Sequence, residues 1–142
     1  MQSLKFIFFL GIASLTFASH SYAQPETAKV RIEPLRGPLH LLQGRGGNVV
    51  ASVGADGILL VDDDYAALTP AYAAALEGLA GAPTAVRFVL NTHWHQDHTG
   101  GNAYWGERQA LIFAHSNVRD RMSKRQGPNA LGRVTEPSPP AA

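Results

Sequence analysis

Six consecutive positions, His93 to His98, hold three imidazoles and one carboxylate, directly behind the apolar run Ala85–Leu90. That run is too short for a typical helix and suits a buried strand, so the cluster is expected at a strand tip. In extended chain, residues two apart project to the same side, and His93 and His95 can converge on one ion. Asp97 and His98 are adjacent and would diverge in a strand. A turn into helix lets them face a second point nearby. Gly100 and Gly101 lack a Cβ, which permits a sharp bend and keeps bulk away from the ligands. Imidazoles crowded without a cation repel one another at mildly acid pH, so the pattern predicts a site for one or two metal ions. Neutral imidazole with carboxylate suits Zn2+ best, and leaves iron or manganese open.

Composition narrows the alternatives. The 142 residues contain no cysteine, which excludes disulfide scaffolds, thiolate nucleophiles and Cys-held metals together. Twelve Lys and Arg against eleven Asp and Glu give a net charge of +1, without the basic excess of a nucleic-acid binder. The length allows one domain. Residues 1–23 read as a signal peptide: Lys5, an apolar centre from Phe6 to Phe17, then Ser21-Tyr22-Ala23 with small residues at its first and third places. The apolar centre falls short of the ~20 residues of a membrane span. The expectation is an exported protein, periplasmic or secreted, with no membrane attachment after cleavage.

The rest of the chain reads as strands first and helices later. Val30–Leu35 and Leu39–Gln43 are short apolar runs split by the turn residues Arg36-Gly37-Pro38. Gly44, Gly46 and Gly47 suggest a loop using positive φ. Asn48–Val53 and Ile58–Val61 flank the hairpin signal Asp56-Gly57. Thr69-Pro70 fits an N-cap and first helical residue for a helix from Ala71 to Ala80 that ends at Gly81. Ala110–Ala114 is a third apolar run. Ser116 is the expected N-cap of a basic helix to about Gln126, whose Arg119, Arg121, Lys124 and Arg125 should form a solvated face. The proline-rich tail, 127–142, should be irregular.

With these residues in place, His93-Trp94-His95-Gln96-Asp97-His98 and the following Thr99-Gly100-Gly101-Asn102 resemble the HxHxDH signature of metallo-β-lactamase-fold hydrolases. Gly46-Gly47-Asn48, Asp56–Asp62 and Ala114–Arg119 are similar to other segments of that family, so the likeness runs from about Leu39 to Arg125. It implies a mixed α/β (α+β) fold, the αββα sandwich, with metals at one edge of two sheets. It also implies His93 and His95 as first-site ligands and Asp97 and His98 as second-site ligands. Asp97 is the candidate catalytic residue that orients an attacking hydroxide or shuttles its proton. Asp62 is the strand-end carboxylate that accepts hydrogen bonds from the metal loop, while Asp63 and Asp64 are expected in solvent. The implied reaction is hydrolysis of a small-molecule ester, thioester, lactone or lactam by metal-bound hydroxide.

The family completes both sites with later His and Asp or Cys residues. After His98 this sequence has only His115, expected in a structural role, and the acids Glu107, Asp120 and Glu136. Residues 24–126 therefore read as the N-terminal half of the domain, with the sheet face that a second sheet would cover left open. The alternative is a non-catalytic truncated fragment with weak metal binding. Nothing in the sequence sets the oligomeric state.

Overall fold

A computed structural model describes residues 29–81, 85–129 and 132–138. The signal peptide expected at 1–23 lies outside them. Six strands form one sheet in chain order: β1 (Arg31–Pro34), β2 (Leu39–Gln43), β3 (Asn48–Gly54), β4 (Gly57–Val61), β5 (Val86–Asn91) and β6 (Leu111–Ala114). The first four are antiparallel, and β4–β5 and β5–β6 are parallel. The change of direction follows from the connections. A two-residue turn, Ala55-Asp56, with Gly57 at φ 115°, can only return a strand beside itself. Helix α1 (Thr69–Ala80) carries the chain back across the sheet before β5. Two short helices, α2 (Gln96–Thr99) and α3 (Asn102–Glu107), separate β5 from β6, and α4 (Ser116–Met122) follows β6.

Period-two alternation gives the sheet two faces. Leu42, Val49, Ala51, Ile58, Leu60 and Val89 are buried on one face against Leu68, Tyr72, Leu76 and Trp105 from the helical side. The opposite face carries two cross-strand rows, Leu41–Val50–Val61–Leu90–Phe113 and Leu39–Ser52–Leu59–Phe88–Leu111. Leu111 and Phe113 there are 59% and 51% exposed, and the Phe88 and Phe113 rings meet at 6.0 Å. One face is a core and the other is bare. This is the open apolar face that half an αββα sandwich should show.

Several local expectations shift. Thr69 is not an N-cap but the first helical residue, its hydroxyl donating back to Ala66 O at 2.8 Å after a 3-10 turn at Ala66–Leu68. Gly81 ends α1 in the left-handed region at φ 67°, where a Cβ would be disfavoured. The cap of α4 is His115 rather than Ser116, and the helix stops at Met122. Gln126 explains the early stop. It pairs with Thr135 in an isolated bridge, and its side-chain amide donates to the Lys124 carbonyl and to that of Arg121, which continued helix would have given to Arg125 N. Beyond that bridge the described tail has no helix or strand. No helix among the described residues is long and apolar enough to cross a membrane.

The two faces make a sharp contrast in stability. Leu60→Ala should cost about 2–5 kcal/mol in urea unfolding, because a cavity opens at a fully buried central position. Phe113→Ala on the bare face should cost less than about 1 kcal/mol and lower the binding of a hydrophobic dye.

Candidate metal centre

The site is assembled around a turn of three aspartates that ends β4. Asp62 and Asp64 sit at φ 63° and 57°, a left-handed conformation that short polar side chains tolerate better than most. Asp63 and Asp64 are not in solvent as expected; they are 1% and 0% exposed. Each carboxylate is buried because each secures a different piece of backbone. Asp64 Oδ2 accepts from Arg45 N, Gly46 N and the Tyr72 hydroxyl, while its Oδ1 accepts from Tyr65 N. Asp63 Oδ1 accepts from Gly101 N at 2.9 Å. Asp62 takes the metal loop: Oδ1 accepts from Thr92 N at 2.7 Å and Oδ2 from Thr92 Oγ1 at 2.8 Å, with His98 Nδ1 at 2.7 Å.

The Asp62 contacts assign protons to the imidazoles by elimination. A carboxylate has no proton to give, so His98 Nδ1 donates to it and the lone pair is left on His98 Nε2. The single hydroxyl proton of Thr92 goes to Asp62, so towards His93 Nδ1, 3.0 Å away, the hydroxyl accepts. His93 therefore carries its proton on Nδ1 and a lone pair on Nε2. His93 Nε2 lies 3.0 Å from His95 Nδ1, so the two ring nitrogens converge on one point. His93 and His98 are thus held in the tautomer that leaves the lone pair on Nε2. Burial lowers the His93 pKa, and the neighbouring His98 and His95 push it the same way, favouring the neutral ring that binds metal.

The sequence-designated residues are all gathered here. His93 and His95 lie in a bend after β5 rather than in the strand, yet their ring nitrogens still meet. The His93 and His98 ring centroids are 3.9 Å apart. His95 opens the single turn of α2, which carries Asp97 and His98 round together, with Asp97 Oδ2 3.4 Å from His98 Nε2. One ligand atom each from Asp62, His93 and His98 lies within 4.8 Å of the others. Of these, Asp62 already receives three donors, so its place is behind the imidazoles.

Glycines give the donors room, by a different means from that expected. None of Gly44, Gly46, Gly47, Gly100 or Gly101 takes a positive φ among the described residues. A Cβ at Gly47 would lie 2.7 Å from His98 Cε1 and 2.9 Å from Nε2, so this glycine keeps the ligand atom uncovered. A Cβ at Gly101 would lie 2.9 Å from the Asp63 carboxyl carbon, so it serves the backbone bond to that side chain. The uncovered Nε2 and the fixed tautomers fit a divalent metal of borderline character.

Residues beyond the signature complete the support. The Asn91 side-chain amide and the Asp63 backbone N–H both donate to His98 O, and Asn102 donates to Asn91 Oδ1 at 2.8 Å. Their signal in the sequence is only that polar residues continue straight on from a buried strand. Trp94 is half-buried against His95, with centroids at 4.5 Å. His115 caps α4, its Nδ1 accepting from Asn117 N.

Comparison with known proteins agrees with this architecture. A family model described as the metallo-beta-lactamase superfamily matches residues 41–137. The chain belongs to that superfamily. Among solved structures it is similar to MEM-A1, a subclass B3 metallo-beta-lactamase from a soil metagenome library, at a TM-score of 0.64 and 20% identity. That match covers 80% of this chain and 44% of the other. FIM-1 from Pseudomonas aeruginosa, solved in a mono-zinc form, matches at a TM-score of 0.58 and 18% identity, over 69% and 47% of the two chains. SMB-1 bound to 2-mercaptoethanesulfonate matches at 0.58 and 22%, over 68% and 38%. The chain thus spans less than half the length of these structures. None of the curated proteins compared matches it.

Two measurements follow from the aspartate turn. Asp62→Ala should weaken zinc affinity about 10- to 100-fold in a chelator-competition titration, because His98 and His93 lose the contact that sets their tautomers. Asp63 behaves differently. Burial pushes its carboxyl up to about 8; the Gly101 N–H pulls it back, and the charges of Asp62 and Asp64 raise it. Its Oδ2 has no partner, so the neutral acid is the better-tolerated form there. In the unfolded chain the group ionises near 3.9, so between roughly pH 4 and 8 folding takes up a proton. Stability of the metal-free protein should fall across that window as pH rises, with the loss complete above it. Asp63→Asn should flatten the slope between urea titrations at pH 5 and pH 9.

Proposed function

We propose that this chain carries the ligand loop of an exported zinc hydrolase acting on a small-molecule ester, thioester, lactone or lactam. The observation that carries the reading is the proton chain rooted on Asp62, which leaves Nε2 of His93 and His98 as lone pairs in one cluster, with His95 Nδ1 3.0 Å from that of His93. His93 and His95 would serve a first ion, and Asp97 and His98 a second. When bound, such ions would lower the pKa of water toward neutrality and polarise the oxygen of the group under attack. The chain's own part is positioning and proton handling. Thr92 and Asp62 hold the imidazoles oriented. Asp97 keeps its carboxylate beside His98 Nε2, only one-third exposed, where it can accept a proton from water and release it to a leaving group. Export, to a periplasm or out of the cell, rests on the leader read at 1–23.

A second reading has its own support. Two donors per ion fall short of the three protein ligands typical of catalytic zinc, and the chain covers 44% of MEM-A1 and 47% of FIM-1. On that reading the chain binds metal weakly and turns nothing over.

Zinc titration of the purified chain, followed by assay on a chromogenic ester and a chromogenic lactam, separates these. The expected result is zinc binding by the chain, at least about 10-fold weaker in His95→Ala, and zinc-dependent hydrolysis once the second half of the domain is supplied, abolished in His95→Ala. Weak binding without turnover supports the fragment. Hydrolysis undiminished in His95→Ala overturns the assignment.

A further inference from the structure

The basic residues after β6 are exposed, as the sequence led us to expect, and three of them form one wall of a groove of about 800 Å³ whose other wall is the metal loop. His93 and Trp94 stand on one side, and His115, Arg121 and Lys124 on the other. Topology puts them there. Strands β5 and β6 are parallel, so both end at the same edge of the sheet; His93 comes two residues after β5 and His115 one residue after β6. Crevices outside the carboxyl ends of adjacent parallel strands are where α/β sheets commonly take ligands.

We propose that this groove is an anion subsite of the same centre, taking the carboxylate, phosphate or sulfate group of a substrate whose scissile bond lies at the metal loop. The inference rests on the hydrolase reading for that last point, but the groove's preference for an anion stands on its own charges. Arg125 lies along the groove but is paired with Glu136, Nε to Oε1 at 3.1 Å. Asp120 balances one of the remaining cations. Lys124 has no ion-pair partner among the described residues, and Arg121 contacts only a neutral acceptor, the Gln126 side-chain carbonyl at 3.4 Å. One positive charge is left without a counter-charge. His115 adds direction: its Nδ1 accepts from Asn117 N, so the neutral ring carries its proton on Nε2 and offers the groove a donor. That uncompensated positive charge and a directional N–H suit an oxyanion, and a neutral substrate would leave them unused.

The test uses the full chain, first without metal, followed by amide NMR at constant ionic strength in chloride. Succinate, phosphate and sulfate are titrated separately. The expected result is saturable shifts confined to Thr92–Trp94 and His115–Lys124 for at least one of them, and the anion that saturates first names the group. The double variant Arg121→Gln with Lys124→Gln should weaken that binding about 5- to 10-fold, as should His115→Phe, with the other amides unmoved. If zinc is then bound and an ester is hydrolysed, the double variant should raise KM for a carboxylate-bearing ester and leave that for its neutral methyl ester unchanged. Shifts that chloride alone reproduces, or anion affinity unchanged in the double variant, overturn the subsite. Anion binding that persists in a chain unable to bind zinc refutes the hydrolase reading and leaves the subsite standing.

Discussion

The site depends on a carboxylate that does not itself need to touch a metal. Asp62 ends β4 in a left-handed turn and receives three donors from the metal loop, two from Thr92 and one from His98. Because a carboxylate only accepts, each of those contacts fixes the position of a proton, directly for His98 and through the Thr92 hydroxyl for His93. A flexible loop of imidazoles could adopt either tautomer and many directions. Anchored this way, His93 and His98 present the same nitrogen. The neighbouring aspartates do the same for backbone: Asp63 holds Gly101 beyond α2, and Asp64 holds the loop between β2 and β3. One turn of three residues thereby connects three segments distant in sequence.

Burial of that turn has consequences in both directions. It takes the aspartates out of water, strengthening their hydrogen bonds, yet it leaves Asp63 Oδ2 without a partner and raises that carboxyl's pKa. The sheet shows a related division. The face under α1 and α3 is closed by Tyr72, Leu76 and Trp105, while two rows of side chains, apolar but for Ser52, face outward on the other. The metal loop stands at the edge between these faces, where residues from either side could reach it.

Much of this organisation was legible in the residues. Strand positions, the Asp56-Gly57 hairpin, the Gly81 helix end and the clustering of His93 to His98 all follow from patterns confined to a few neighbouring positions. The role of Asp62 was accessible only through resemblance to a family. The misreadings around the site share a feature: the partner lies far along the chain. Asp63 and Asp64 look like solvated charges until Gly101, Arg45 and Tyr72 are brought to them. Gly47 looks like a flexible turn residue, but its need for a bare Cα comes from His98, fifty-one positions on. Arg121 and Lys124 are exposed as read, but that they face the metal loop across a groove emerges only when β5 and β6 align their ends.

The sequence by itself determined the element types, the alternation that divides the sheet into two faces, and the residue chemistry of the metal loop, because these are properties of short-range spacing. Tertiary structure decided which nitrogen His93 and His98 present, which aspartates are buried and which helix faces the site. The physical reason is that a hydrogen bond's proton, a carboxylate's environment and a groove's two walls are each defined by a pair of groups. When the members of a pair come from different strands, only the packed sheet introduces them.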